Sequence, residues 1–221
     1  KKNFDDGMAL FTRIPPCMTT RIMTDSRGWV WITTTSLGVY AIDPATDSVV
    51  VHLSSQEAEP YKLNWDAVAS VIQYDDTTMI VAANSLVIYN TALKRITRTL
   101  TFPDVVAGSV SSVERDNNGY VWMSTTDGIF RVNIRSRIFI RFDRADGIGN
   151  DRFIVAASYK LANGKMLFGA DNQFICFDPA AVRINNIAPE VRITGIKLAN
   201  HSLPADSVVR SGVLELTPKE N

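Results

Sequence analysis

Apolar and polar positions along this chain alternate in short runs broken by turn residues. Ser109-Val110-Ser111-Ser112-Val113-Glu114-Arg115 alternates and stops at Asp116-Asn117-Asn118-Gly119, a turn composition. Tyr120 to Thr125 is again strand-like and stops at Asp127-Gly128. Gly128 to Asn133 and Arg137 to Phe142 complete a set of four short strands, and the large side chains of the last run suit an outer edge. The same order fits Thr19 to Leu53 and Ala67 to Phe102. A last copy runs Phe153 to Tyr159, Lys165 to Phe168 and Phe174 to Phe177, with its fourth strand weak or missing. Strands at this spacing, with no helical period between them, predict an all-β fold.

The sets are related to one another. Asp25-Ser26-Arg27-Gly28-Trp29-Val30-Trp31-Ile32-Thr33-Thr34 returns almost letter for letter as Asp116-Asn117-Asn118-Gly119-Tyr120-Val121-Trp122-Met123-Ser124-Thr125. The separation is about 91 residues, twice a period of about 45 that falls in the range of four-stranded propeller blades. Weaker copies sit at Asp75 to Ala82 and Leu161 to Gly169, where that period places them. A lone four-stranded sheet cannot hide both faces, whereas stacking sheets radially does. The expected fold is therefore a partial ring of about four blades, with residues 1–14 the outer strand of a preceding blade. Uncovered terminal faces would favour self-association.

At 221 residues, 46% hydrophobic and 21% charged, the chain can bury a core. Lys+Arg and Asp+Glu balance at 23 each, which argues against nucleic acid or an anionic membrane as partner. No apolar run approaches a membrane span, so membrane attachment would come only through downstream segments. The chain opens in what reads as mid-strand and ends just after a new strand, as expected of a piece of a longer protein. Cys17 and Cys176 fall on different repeats and are expected to be unpaired. His52 and His201 have no companion ligands at metal spacing and read as surface or loop residues. Composition changes after Asp178-Pro179. Residues 1–182 form the propeller portion, 183–189 a linker, and 190–221 the start of a second β-domain, with strands at Glu190 to Leu198 and Gly212 to Leu216.

The pattern Asp-x-x-Gly-x-Val-Trp, followed by Gly-[Val/Ile]-[Tyr/Phe], resembles the two-component-regulator propeller repeat of extracytoplasmic sensor regions of hybrid histidine kinases. Asp146-Gly147-Ile148-Gly149-Asn150-Asp151-Arg152-Phe153, Gly164 to Gly169 and Phe177-Asp178-Pro179 are similar to the last blade of such sensors. Pro189 to Leu198 resembles the entry into the immunoglobulin-like three-tyrosine domain that joins these propellers to the membrane. The copy at Asp75 departs from the pattern, lacking the turn glycine and the tryptophan. The resemblance implies a periplasmic sensor whose signal is a glycan-derived oligosaccharide. It also implies an immunoglobulin-like sandwich beginning at residue 190 and kinase activity only in a segment absent here.

Candidate chemistry is sparse. Trp31 and Trp122, with Trp29 and Tyr120 two residues earlier on the same face, are expected to pack in the core. Asp25, Asp76 and Asp116 precede turns and are expected to bond turn backbone rather than act as paired acids. An arginine triad with a tyrosine nucleophile does not assemble from Arg21, Arg115 and Arg141, and no nucleophile elbow, phosphate loop, zinc motif or cofactor motif occurs. Propellers bind where loops converge at one end of the axis. Those loops contribute Thr35, Ser36, Asn84, Asp127, Asp171 and Asn172, with Trp65, Arg144 and Arg152 from inter-blade segments. Their hydroxyl and amide groups suit a hydroxyl-rich ligand; Trp65 either closes its loop or stacks on a sugar. The expected function is ligand sensing. The alternatives are a propeller glycan-degrading enzyme or a protein-interaction propeller.

Overall fold

A computed structural model describes residues 14–102, 110–126, 128–149, 152–184, 196–198 and 201–203. The chain divides into two compact units, Lys1–Val182 and Arg183–Asn221. The first is built from antiparallel sheets in simple meander order. Blade one is β1 (Thr19–Thr24), β2 (Val30–Thr34), β3 (Val39–Asp43) and β4 (Ser48–Leu53). Blade two is β5 (Ser70–Gln73), β6 (Thr78–Ala82), β7 (Ser85–Asn90) and β8 (Arg95–Thr101). Blade three is β9 (Val110–Arg115), β10 (Val121–Thr125), β11 (Gly128–Asn133) and β12 (Ile138–Phe142). Blade four has three strands, β13 (Phe153–Lys160), β14 (Met166–Ala170) and β15 (Gln173–Phe177). The architecture is that of a four-bladed β-propeller. The proposed outer strand at residues 1–14 lies, apart from Ile14, outside the described residues.

Alternation along each middle strand sends successive side chains into two different seams. On blade two Val71, Met79, Val81 and Tyr89 face blade one, where they meet Trp31, Val39 and Leu53. Ile72, Ile80 and Leu86 face blade three and meet Val113, Val121 and Phe130. Trp122 and Ile129 then meet Phe153, Met166 and Phe168 of blade four. Both faces of the middle strands are buried, so β6 and β10 read as nearly continuous apolar runs.

The strong and weak repeats differ at one core position. Trp31 and Trp122 sit on the second strands of blades one and three, and at the corresponding register blades two and four carry Ile80 and Leu167. On the opposite face of blades two and four, turned back toward the preceding blade, Met79 pairs with Tyr89 and Met166 with Phe177. Each tryptophan packs on the third-strand ring of the next blade. Trp31 meets Tyr89 edge-on at 6.0 Å between centroids, and Trp122 meets Phe177 at 4.9 Å.

Turn chemistry holds the registers. Gly119 takes φ of 84°, the left-handed region that a side chain disfavours, in the turn between β9 and β10. Gly128 opens β11 where a Cβ would lie 2.5 Å from the Phe142 carbonyl oxygen, so the start of β11 can approach the end of β12 only without a side chain.

Two expectations change. The sequence implied a partial ring, and in the structure β13 reaches β1, so the four first strands complete a circuit around the axis. Away from the axis the far face of blade four stays open, with Tyr159 62% and Phe174 69% exposed beside Leu167 and Cys176. His52 was read as a surface or loop residue and instead sits half-buried on the outer strand β4. It stacks on Tyr40 at 4.1 Å and contacts Glu57 at 2.7 Å. Both cysteines are unpaired. In the second unit the described residues form one antiparallel hairpin, β16 (Ile196–Leu198) with β17 (His201–Leu203). The strand expected at Gly212 to Leu216 and most of the 183–189 linker lie outside the described residues.

Candidate functional site

The first strands β1, β5, β9 and β13 lie side by side around the axis, and one residue from each meets at its centre. Arg21 on β1 donates from Nη1 to Ser70 Oγ on β5 at 3.3 Å and to Ser158 Oγ on β13 at 2.9 Å. Its Nη2 donates to Glu114 Oε1 on β9 at 2.8 Å, and Ser158 donates to the same oxygen at 3.0 Å. This polar plug separates two mouths. The N-terminal ends of the four strands open on one mouth and their C-terminal ends on the other.

The first mouth is a cavity of about 360 Å³ lined by Thr20, Thr35, Trp65, Ala69, Asn84, Val110 and Val155 among others. A second hollow, of about 450 Å³, adjoins it and is lined by Thr35, Ser55, Asn64, Trp65, Asp66 and Ala67. Trp65 borders both and is 56% exposed. Its neighbours explain why so large a ring stays in water. Leu63 and Val68 are buried and close the loop, so that task does not fall to Trp65. Asp66 accepts from the Ser55 amide at 2.6 Å and from the Ser55 hydroxyl, and its carbonyl accepts from Gly38 N at 3.0 Å. Val68 N donates to Thr34 O at 2.9 Å. The segment is thus pinned on both sides of a displayed indole, with the Thr35 hydroxyl and Asn84 amide on the same wall.

Three of the predicted site residues, Thr35, Trp65 and Asn84, are brought together. Ser36 is exposed on the β2–β3 loop but does not line the cavity. Asp171 N donates to Arg152 O at 2.9 Å, so Arg152, Asp171 and Asn172 cluster at the entrance of blade four, and Arg144 lies in a 3-10 turn at Arg144–Asp146. None of these four lines the cavity. Asp127 lies outside the described residues. Sequence reading missed the axial cluster: Arg21 and Arg115 were considered only as parts of a catalytic triad.

Of the turn acids, Asp25 and Asp116 are fully engaged, whereas in blade two Asp75 rather than the expected Asp76 accepts from the turn backbone, from Thr77 N at 3.0 Å. Asp116 Oδ1 accepts from Asn118 N at 2.9 Å and Tyr120 N at 2.8 Å, while Oδ2 accepts from Trp122 Nε1 at 2.9 Å. Asp25 repeats this with Arg27 N, Trp29 N and Trp31 Nε1 and adds an ion pair to Arg27. Burial alone would raise the Asp25 carboxyl, but the Trp31, Arg27 and Trp29 hydrogen bonds outweigh it and hold the group below the ordinary aspartate range. Trp29 and Tyr120 lie half-buried under the Arg27 and Arg131 guanidiniums, each 4.3 Å from the ring centroid. Among the described residues no group of three or more His, Cys, Asp or Glu side chains could hold a metal ion, and no helix is long and apolar enough to cross a membrane.

The structure therefore defines a β-propeller with a ligand-sized, aromatic-flanked mouth at one end of its axis. It is similar to the extracellular domain of the hybrid two-component system BT3049 of B. thetaiotaomicron (TM-score 0.56, 16% identity, 73% of this chain and 20% of that one). It is equally similar to the extracellular domain of the hybrid two-component system BT4673 of the same organism (TM-score 0.56, 18% identity, 80% of this chain and 22% of that one). In sequence, 100 residues are 27% identical to histidine kinase P4 of Formosa agariphila, covering 45% of this chain and 7% of the kinase. No family model matches. The chain thus spans about a fifth of the solved domains and a small part of the kinase.

Proposed function

We propose that this chain is a periplasmic ligand-sensing part of a hybrid two-component regulator, that its signal is a glycan-derived oligosaccharide, and that it performs no bond chemistry itself. The observation that carries the reading is Trp65, a fixed and half-exposed indole between two hollows whose walls offer hydroxyl and amide groups. An indole face takes the apolar face of a sugar ring, while Thr35, Asn64 and Asn84 can bond hydroxyls. The likeness to extracellular domains of hybrid two-component systems supports the sensor class. The commitment of Asp25 and Asp116 to turn amides and indoles speaks against using them as a glycosidase pair, which needs two available carboxylates across one cleft.

The test is calorimetric titration of the chain with a panel of defined oligosaccharides, with chromatography of the sugars afterwards. Saturable binding without cleavage, weakened at least about tenfold by Trp65→Ala, is the expected result. Cleaved products would support the enzyme reading. Binding indifferent to Trp65 would remove this mouth as the site.

A further inference from the structure

The second axial mouth has a different chemistry, and the reading above leaves it unused. It is a cavity of about 210 Å³ lined by Arg21, Met23, Ile72, Gln73, Glu114, Arg115 and Lys160. Three cations face one carboxylate. Glu114 is already matched, since its Oε1 accepts from Arg21 and Ser158. Among the described residues that leaves the charges of Arg115 and Lys160 without an opposing carboxylate. Lys160 Nζ donates, among the described residues, to the neutral Asn117 Oδ1, at 3.1 Å. Arg115 lies with Cζ 5.0 Å from the Tyr74 ring centroid, and its buried Nε has no hydrogen-bond partner. A guanidinium stacked on an aromatic ring is held in orientation while its N–H edge stays available, the geometry that suits bidentate bonding to an oxyanion.

We propose that this mouth is an anion subsite, taking one carboxylate or sulfate group of a small ligand between Arg115 and Lys160. Gln73 is not its main donor, because both ends of its amide are engaged by Ser26 across the blade-one turn, at 2.9 and 2.6 Å. The subsite lies on the other side of the Arg21 plug from Trp65. Its occupancy is therefore independent of whether the Trp65 mouth binds a neutral sugar. An anion here sits next to the turns of blades one and three, because Gln73 holds Ser26 and Lys160 holds Asn117. Held by Arg115 on β9 and Lys160 on β13, it would bridge blades three and four.

The experiment is an amide NMR titration of the whole chain with sodium sulfate and, separately, sodium glucuronate. Ionic strength is held constant with sodium chloride, because screening alone shifts exposed amides. Methyl glucoside serves as the neutral control. The proposal expects saturable shifts around residues 73, 115 and 160 with at least one of the two anions and none with the control. Each of Arg115→Gln and Lys160→Gln should weaken that binding about tenfold or more, while Trp65→Ala leaves it unchanged. Saturation by sulfate alone assigns a tetrahedral oxyanion, and by glucuronate alone a carboxylate. If Arg115→Gln loses its shift dispersion, Lys160→Gln decides by itself. Non-saturating shifts, saturation centred on Trp65, or unaltered affinity in the folded variants would overturn the proposal.

Discussion

Trp122 Nε1 donates to Asp116 Oδ2 at 2.9 Å, joining the second residue of β10 to the acid that closes the turn before it. Trp31 and Asp25 repeat the contact at the same distance. One carboxylate thus shapes the turn with one oxygen and orients the core tryptophan with the other. Asp116→Ala leaves the buried indole N–H without a partner, at about 1 to 3 kcal/mol, and frees two part-buried turn amides that water can partly satisfy, so we expect a loss of about 2 to 4 kcal/mol in denaturant unfolding. Trp122→Ala should cost about 3 to 5 kcal/mol through the cavity it leaves. In the cycle Asp116→Ala with Trp122→Phe the two losses should be non-additive by about 1 kcal/mol. Strict additivity would show that the indole bond adds nothing.

The Asp25 carboxylate of blade one sets an acid limit. The Asp25 pKa is depressed in the folded protein, so the stability it contributes is present above the unfolded value, near 3.8, and is lost as pH falls through the folded one. Thermal unfolding followed from pH 6 to pH 2 should decline less steeply in Asp25→Asn than in the parent. Parallel curves would contradict the linkage.

An alkaline limit is expected at the same seam. Burial, aided by the nearby Tyr61, pushes the Tyr89 phenol up to about 12, against a small opposing effect of Arg27. A raised pKa means stability intact below about 10 and lost as pH rises toward 12. At about 1.4 kcal/mol per unit the loss approaches 3 kcal/mol. Tyr89→Phe should flatten this part of the profile without disturbing the acid side.

How much of this was legible depends on how far apart the interacting residues lie. Blade boundaries were readable because turn residues and alternating runs are local; β1 and β4 begin and end where the pattern places them. The Asp–Trp bond spans six positions, and its turn half was readable while its indole half required the fold. Blades two and four were harder to read because Ile80 and Leu167 stand at the register where blades one and three carry tryptophan. Arg21 and Glu114 are 93 residues apart and carry no motif, so the axial plug and the charged mouth emerged only in three dimensions. Trp65 was identified as a candidate, but whether it closed the loop turned on Leu63 and Val68 being buried in its place.

Self-association follows from the open face of blade four. Tyr159, Leu167, Phe174 and Cys176 share that face, and a large exposed apolar patch favours contact with another sheet. Sedimentation velocity should show concentration-dependent association that Tyr159→Lys with Phe174→Lys reduces. A parent protein that stays monomeric at high concentration would refute it.

The axial plug makes the most specific claim about how the four blades are held. Arg21 and Glu114 are both mostly buried, with side chains 18% and 10% exposed, so each charge depends on the other for solvation. Removing one partner strands the other. Arg21→Met should therefore destabilise by about 2 to 4 kcal/mol, and Glu114→Gln by a similar or smaller amount because the amide can still accept from Arg21 and Ser158. Arg21→Met with Glu114→Leu removes both charges and should recover part of the loss of Arg21→Met alone, as apolar replacements of buried ion pairs do. Because Arg21 alone reaches Ser70, Glu114 and Ser158, its loss should also raise hydrogen exchange at β5, β9 and β13 together. Faster exchange confined to β1 would mean that Arg21 stabilises its own strand only and that the circuit is held by the apolar seams.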